Sequence, residues 1–252
     1  MNLRIKNKFT TIWNEYFPGA NLPFIFYYTD DWDKIKDLNK PNSDHCLIRD
    51  VSDVRNGMSI YFENDSIKCM GGRRYLGYSS ELRNNFEYFL SCGLEGTVVG
   101  ERYKKSPELV KELLEKQPPY KAPGKFLILK RWDKLEIIDE PVAVIFIDSG
   151  DVLSGLTVLS NFAEKDLNTV IAPFCSGCSS IFYYPYHESL KDNPKVTLGM
   201  FDITARPYIG KHELSIAVSY KKFVNMIDDY SESFLITDSW EKIRKRIEYK
   251  VK

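Results

Sequence analysis

The stretch Pro141-Val142-Ala143-Val144-Ile145-Phe146-Ile147 carries no polar side chain and is closed by Asp148. A strand without polar alternation has no face to offer water, so it belongs inside a sheet covered on both sides. Strand-like and helix-like segments alternate around it along the chain, which sets the class as α/β of the α+β kind.

Lys8 to Phe17 has apolar residues at Phe9, Ile12, Trp13, Tyr16 and Phe17, a helical spacing that stops at Pro18-Gly19. Pro23 to Tyr28 reads as a buried strand. Cys46 to Asn56 is helical and is followed by a strand at Met58 to Phe62. Ser79-Ser80-Glu81 opens a helix through Leu90, and Thr97 to Val99 is a short strand. Ser106-Pro107-Glu108 combines a cap, a first-turn proline and an early acid, which predicts a helix to about Lys116. Phe126 to Leu129 is extended. After the Val142 strand come a helix at Val152 to Ala163, an extended Thr169 to Ala172, and a helical Ser179 to Leu190 limited by Pro185. Strands at Val196 to Leu198 and Leu214 to Val218 precede helices at Lys221 to Tyr230 and Asp238 to Tyr249.

Three passages recur in the same order at progressively shorter spacing. Pro23 to Asp30 matches Pro141 to Asp148, the segment at Cys69 matches that at Cys175, and Phe126 to Leu135 matches Leu214 to Phe223. The expected architecture is therefore two similar subdomains from an internal duplication, residues 1–138 with an N-terminal helix and 139–252 with a C-terminal helix, packed as one globule. Chance resemblance among apolar strands is the competing account.

Lys and Arg balance Asp and Glu at 35 each, and the basic residues are scattered. No nucleic-acid surface is expected. The N-terminus lacks the apolar core of a signal peptide, and no apolar run is long enough to cross a bilayer. The five cysteines are an odd number, read as reduced thiols of a cytoplasmic protein without membrane partners.

Two cysteine segments carry the candidate chemistry. Ile67-Lys68-Cys69-Met70-Gly71-Gly72-Arg73-Arg74 and Pro173-Phe174-Cys175-Ser176-Gly177-Cys178-Ser179-Ser180 each follow a strand and enter a run of small residues. Cys69, Gly71, Gly72, Arg73, Cys175, Ser176, Gly177 and Ser179 are the expected walls of a cleft that binds a small molecule or cofactor. The CxxC spacing of Cys175 and Cys178 also suits a metal, an iron–sulfur cluster or a redox disulfide, with Cys69 as a further thiolate. One CxxC is half a zinc site, and small buried hydrophobic thiols account for the pair equally well. Cys175, activated by loop amides and paired with His187, is a candidate nucleophile. Cys46 and Cys92 lie in helix-like segments and read as core. The aromatic run Phe182 to Tyr186 reads as a core or a homodimer interface. Asp148 and Asp151 stand where α/β sites gather, and helix capping explains both as well.

Pro141 to Phe146, Ile67 to Gly72 with Leu76-Gly77-Tyr78, Val196 to Gly199, and Glu213 to Val218 together resemble the ArCR family of uncharacterised prokaryotic proteins, domain of unknown function 169. The resemblance covers roughly residues 20–230 and implies the family's fold. It implies no activity.

Overall fold

The computed structural model describes residues 1–41 and 44–249. Chain order is α1 (Leu3–Tyr16), β1 (Phe24–Thr29), α2 (Leu47–Arg55), β2 (Ile60–Phe62), α3 (Met70–Tyr75), α4 (Phe86–Phe89), α5 (Pro107–Lys116), β3 (Phe126–Arg131), β4 (Ala143–Ser149), α6 (Gly150–Asn161), β5 (Val170–Ile171), α7 (Tyr184–Ser189), β6 (Val196–Gly199), β7 (Glu213–Ser219), α8 (Tyr220–Asp228) and α9 (Asp238–Tyr249). A π-helical turn, Ser179–Tyr183, leads into α7.

The strands form one sheet in the order β2-β3-β1-β4-β7-β6-β5, antiparallel except for the β5–β6 edge pair. The apolar Val142 segment becomes β4, near the middle, between β1 and β7. Its side chains alternate between two cores. Val144 and Phe146 join Ile25 and Tyr27 on one face, while Ala143, Ile145 and Ile147 join Phe24 and Phe26 on the other. Both faces are covered, as the missing polar alternation requires.

Helices α1, α6, α8 and α9 cover the first face. Phe9 of α1 is its hub, with ring centroids 4.6 Å from Trp132 and 5.2 Å from both Trp13 and Phe223. Burying each such side chain contributes about 1.5–3 kcal/mol, more than helix propensity supplies. On the second face lie α2, α3, the π turn and α7. That face holds Cys46, Cys69 and Cys178.

Strands β1 and β4 lie side by side, with β3 and β7 flanking them. Two of the three repeated passages therefore hold mirrored places in the sheet. The helices do not follow. The twofold that would exchange antiparallel neighbours keeps each face of a sheet, yet α2 after β1 packs on the Phe26 face and α6 after β4 packs on the opposite one. The cysteine segments also differ in place: β2 pairs with β3, whereas β5 is the parallel outer edge beyond β6. The topology does not establish a duplication, and the pairing of β1 with β4 runs one sheet through residues 1–138 and 139–252.

The helix expected from Ser79 to Leu90 shrinks to α4. The Ser79 hydroxyl accepts the Glu81 N–H at 3.0 Å, and Asn85 adopts φ 58°, so local turns win over a helix lacking an apolar stripe. Thr97 to Val99 makes only a bridge between Leu94 and Val98, and Val99 is exposed. Cys69 is followed by a helix rather than a loop, because Gly71 and Gly72 lie within α3.

Candidate thiol site

Three chain segments meet at the first turn of α2. Cys46 is the N-cap residue of that helix, Cys69 caps α3, and Cys178 precedes the π turn. Two glycines let them approach. A Cβ on Gly72 would lie 3.1 Å from Ile67 Cγ2 and 3.5 Å from Leu47 Cβ, so α3 packs directly on α2. A Cβ on Gly177 would lie 2.8 Å from Ala205 Cβ and 3.3 Å from both Ile48 Cγ1 and Met200 Sδ. Neither glycine serves a turn. Each omits a side chain where those of its neighbours already crowd.

At this junction the Cys178 thiol is hydrogen-bonded to the sulfur of Cys46, and Cys69 lies close enough to act on Cys178 electrostatically. The Cys178 thiol is the donor. That bond, with the Ile48 backbone N–H, draws the Cys46 thiol down to about 7 against the opposing effects of burial and of Asp202 and Asp50. Its partner moves the other way. Cys178 is buried and held well above the ordinary thiol range, first by the bond to Cys46 and then by desolvation. Near neutrality Cys46 is thus partly ionised while Cys178 keeps its proton.

Cys69 accepts the Gly72 N–H at 3.4 Å. Asp202 accepts the Gly177 N–H at 3.0 Å, with Thr204 supplying its N–H at 2.9 Å and its hydroxyl at 2.7 Å. This carboxylate fixes the Cys175–Cys178 segment and opposes ionisation of Cys46, Cys175 and Cys178. The Ser176 hydroxyl accepts the Ser179 N–H at 3.2 Å and also bonds the Tyr75 phenol. Ser179 is buried against Gln117.

The expected residues therefore meet, but in different roles. The segments from Cys69 and Cys175 come together, with the Tyr75 phenol near enough to feel both Cys175 and Cys178, and they pack against each other rather than facing across a hollow. Hollows of about 530 and 290 Å³ lie elsewhere. The larger is bordered by Asp30, Glu63, Tyr78, Lys121 and Lys125, the smaller by His45, Asp50 and Asp53, and neither is lined by a cysteine. Arg73 extends to Glu81 at 3.6 Å, and Arg74 is buried with its guanidinium on the carbonyls of Ser80 and Gln117.

Cys175 does not pair with His187, whose Nδ1 lies 2.8 Å from the Tyr183 carbonyl and whose ring packs on Tyr183 and Tyr120. Burial pushes the Cys175 thiol up to about 12, which opposes its reading as a nucleophile at neutral pH. Cys92 is exposed, not core. Phe182 and Tyr183 of the aromatic run are buried. Asp148 accepts the N–H groups of Asn21 and Ser149, at 2.8 and 2.6 Å. Asp151 pairs with Arg246 at 3.0 Å. Among the described residues, no group of three or more His, Cys, Asp or Glu side chains is arranged to hold a metal ion, and no helix is long and apolar enough to cross a membrane.

Sequence reasoning missed Cys46 and Asp202. The only local signal for Cys46 was its place just before an apolar helical stripe, where a side chain can face the free N–H groups of a first turn.

These features define a mixed α/β protein with a cluster of thiols at the start of α2, in which Cys178 is buried and Cys46 and Cys69 are half-buried. The profile of the family described as uncharacterised ArCR, domain of unknown function 169, matches residues 23–229, and the chain belongs to that family. No curated protein and no solved structure matches the chain.

Proposed function

We propose that the protein works through a dithiol in which Cys46 attacks and Cys178 resolves, exchanging electrons with disulfide substrates. The observation that carries this reading is the contact between Cys46 and Cys178, with the proton on the buried partner. Cys46 is half-buried and so reachable, whereas Cys178 is 5% exposed.

In the forward step the Cys46 thiolate attacks one sulfur of a substrate disulfide. That S–S bond breaks, the leaving sulfur takes up a proton, and a mixed disulfide forms on Cys46. Cys178 then loses its proton to water and attacks the Cys46 sulfur, releasing the second substrate thiol and closing a Cys46–Cys178 disulfide. Two electrons pass from the protein to the substrate. The CxxC neighbour Cys175 is not among the groups that act on Cys46, and it takes no part.

The test is to incubate reduced protein with oxidised glutathione and map disulfides by mass spectrometry of unreduced peptides. A Cys46–Cys178 linkage that forms through a glutathionylated Cys46 is expected. A Cys175–Cys178 linkage, or none, overturns the reading.

A further inference from the structure

The larger hollow, of about 530 Å³, lies apart from the thiols and is bordered by residues from several separate stretches of chain. Its walls are fixed by backbone contacts. The Ala122 N–H donates to the Gly77 carbonyl at 2.8 Å, and Gly77 has φ 78°, a left-handed conformation that suits glycine. A Cβ on Gly124 would lie 2.8 Å from the Thr29 nitrogen, so a glycine there lets segment 121–125 close onto the end of β1. Asp30 then accepts the Lys125 N–H at 2.7 Å. Half-buried Tyr78 completes the wall, its hydroxyl donating to the Phe62 carbonyl at 3.4 Å. Preformed hollows of roughly 300–1,000 Å³ are the usual size of small-molecule sites.

The charges around this hollow are unequally satisfied. Glu63 and Asp65 share the Lys40 ammonium, which does not border it. Asp30, Lys121 and Lys125 also border it, yet among the described residues none of these three forms an ion pair. The Lys125 ammonium lies 4.9 Å from the Phe126 ring and does not fold back onto Asp30, although Asp30 holds the N–H of the same residue. One carboxylate and two ammoniums are therefore kept apart around a single space. A molecule carrying both an ammonium and a carboxylate can engage them without breaking an existing ion pair, through charge-assisted hydrogen bonds. Walls set in advance lower the ordering cost of binding.

We propose that this hollow binds a zwitterion of amino-acid type, from a single amino acid to an unblocked dipeptide. Its carboxylate meets Lys121 and Lys125, its ammonium meets Asp30, and Tyr78 supplies the apolar wall. The site stands independently of the redox reading, since no cysteine borders the hollow.

Isothermal titration calorimetry tests this with the twenty amino acids and with alanylalanine, alanyltyrosine and tyrosylalanine, each beside its N-acetyl and C-amide forms. At least one unblocked probe is expected to bind with a Kd below about 1 mM. Blocking either end is expected to weaken that probe about tenfold or more. Lys121→Ala combined with Lys125→Ala should remove the preference for a free carboxylate. Asp30→Asn, which can still accept the Lys125 N–H, should remove the preference for a free ammonium. All three side chains are exposed, and near-UV circular dichroism shows that each variant has folded. The proposal is overturned if no unblocked probe binds, or if blocked probes bind as tightly as unblocked ones. Folded variants that keep both preferences of the wild type overturn it as well.

Discussion

Cys178 lies directly against Cys46 although the two stand in separate parts of the chain, and the contact splits the proton affinities of the two thiols in opposite directions. Cys46 ionises near pH 7, while Cys175 is pushed up to about 12. Because only the thiolate attacks, alkylation by iodoacetamide should rise with pH at Cys46 with a midpoint near 7, and Cys175 should stay unmodified through neutral pH. Peptide mass spectrometry across a pH series checks both. Cys178→Ala removes the donor, so the Cys46 midpoint should move up toward the ordinary thiol range. Its rate at pH 7 should fall by up to about tenfold.

Gly177→Ala sets a Cβ 2.8 Å from the Cβ of Ala205, with Ile48 and Met200 both 3.3 Å away. Overpacking of this kind costs about 1–3 kcal/mol, and relief requires the Cys178 segment to move off α2. Urea denaturation should register the loss. The Cys46 alkylation midpoint should rise in the same variant, because the donor moves with the segment.

Asp202→Asn keeps an oxygen to accept the Gly177 N–H but removes the negative charge that opposes ionisation of Cys46 and Cys175. The thiolate then forms at lower pH. Alkylation of Cys46 below pH 7 should be several-fold faster than in the wild type, and a midpoint that does not move would show that Asp202 acts only as a brace.

Away from the thiols, the Lys130 ammonium is buried, 3.0 Å from Asp139 and 2.8 Å from Glu136. Asp139, fully buried, also accepts the Tyr27 hydroxyl at 2.5 Å and the Glu136 N–H at 2.7 Å. Lys130→Met leaves that carboxylate without its cation, at about 3–5 kcal/mol. Adding Asp139→Asn should recover part of the loss. Thermal and urea unfolding of the single and double variants measure the difference.

Much of the framework was legible from residue order. The unbroken apolar β4 required cover on both faces, and α5 begins where Ser106 accepts the Leu109 N–H at 3.5 Å ahead of Pro107. That the Cys69 and Cys175 segments would meet followed only from a duplication, which the topology does not establish. Ser79 to Leu90 misled because its hydroxyl and Asn85 favour turns that a helical pattern does not register.

Local sequence determined the elements of this protein, because alternation, capping and turn chemistry act between residues a few positions apart. It also marked Cys69 and the CxxC as unusual. Only the tertiary structure decided which thiols meet. The partner of Cys178 is Cys46 rather than its CxxC neighbour Cys175, because Gly72 and Gly177 let two distant segments close onto the first turn of α2. Desolvation and a shared proton then set the thiols' reactivity, and both exist only once the second face of the sheet is covered.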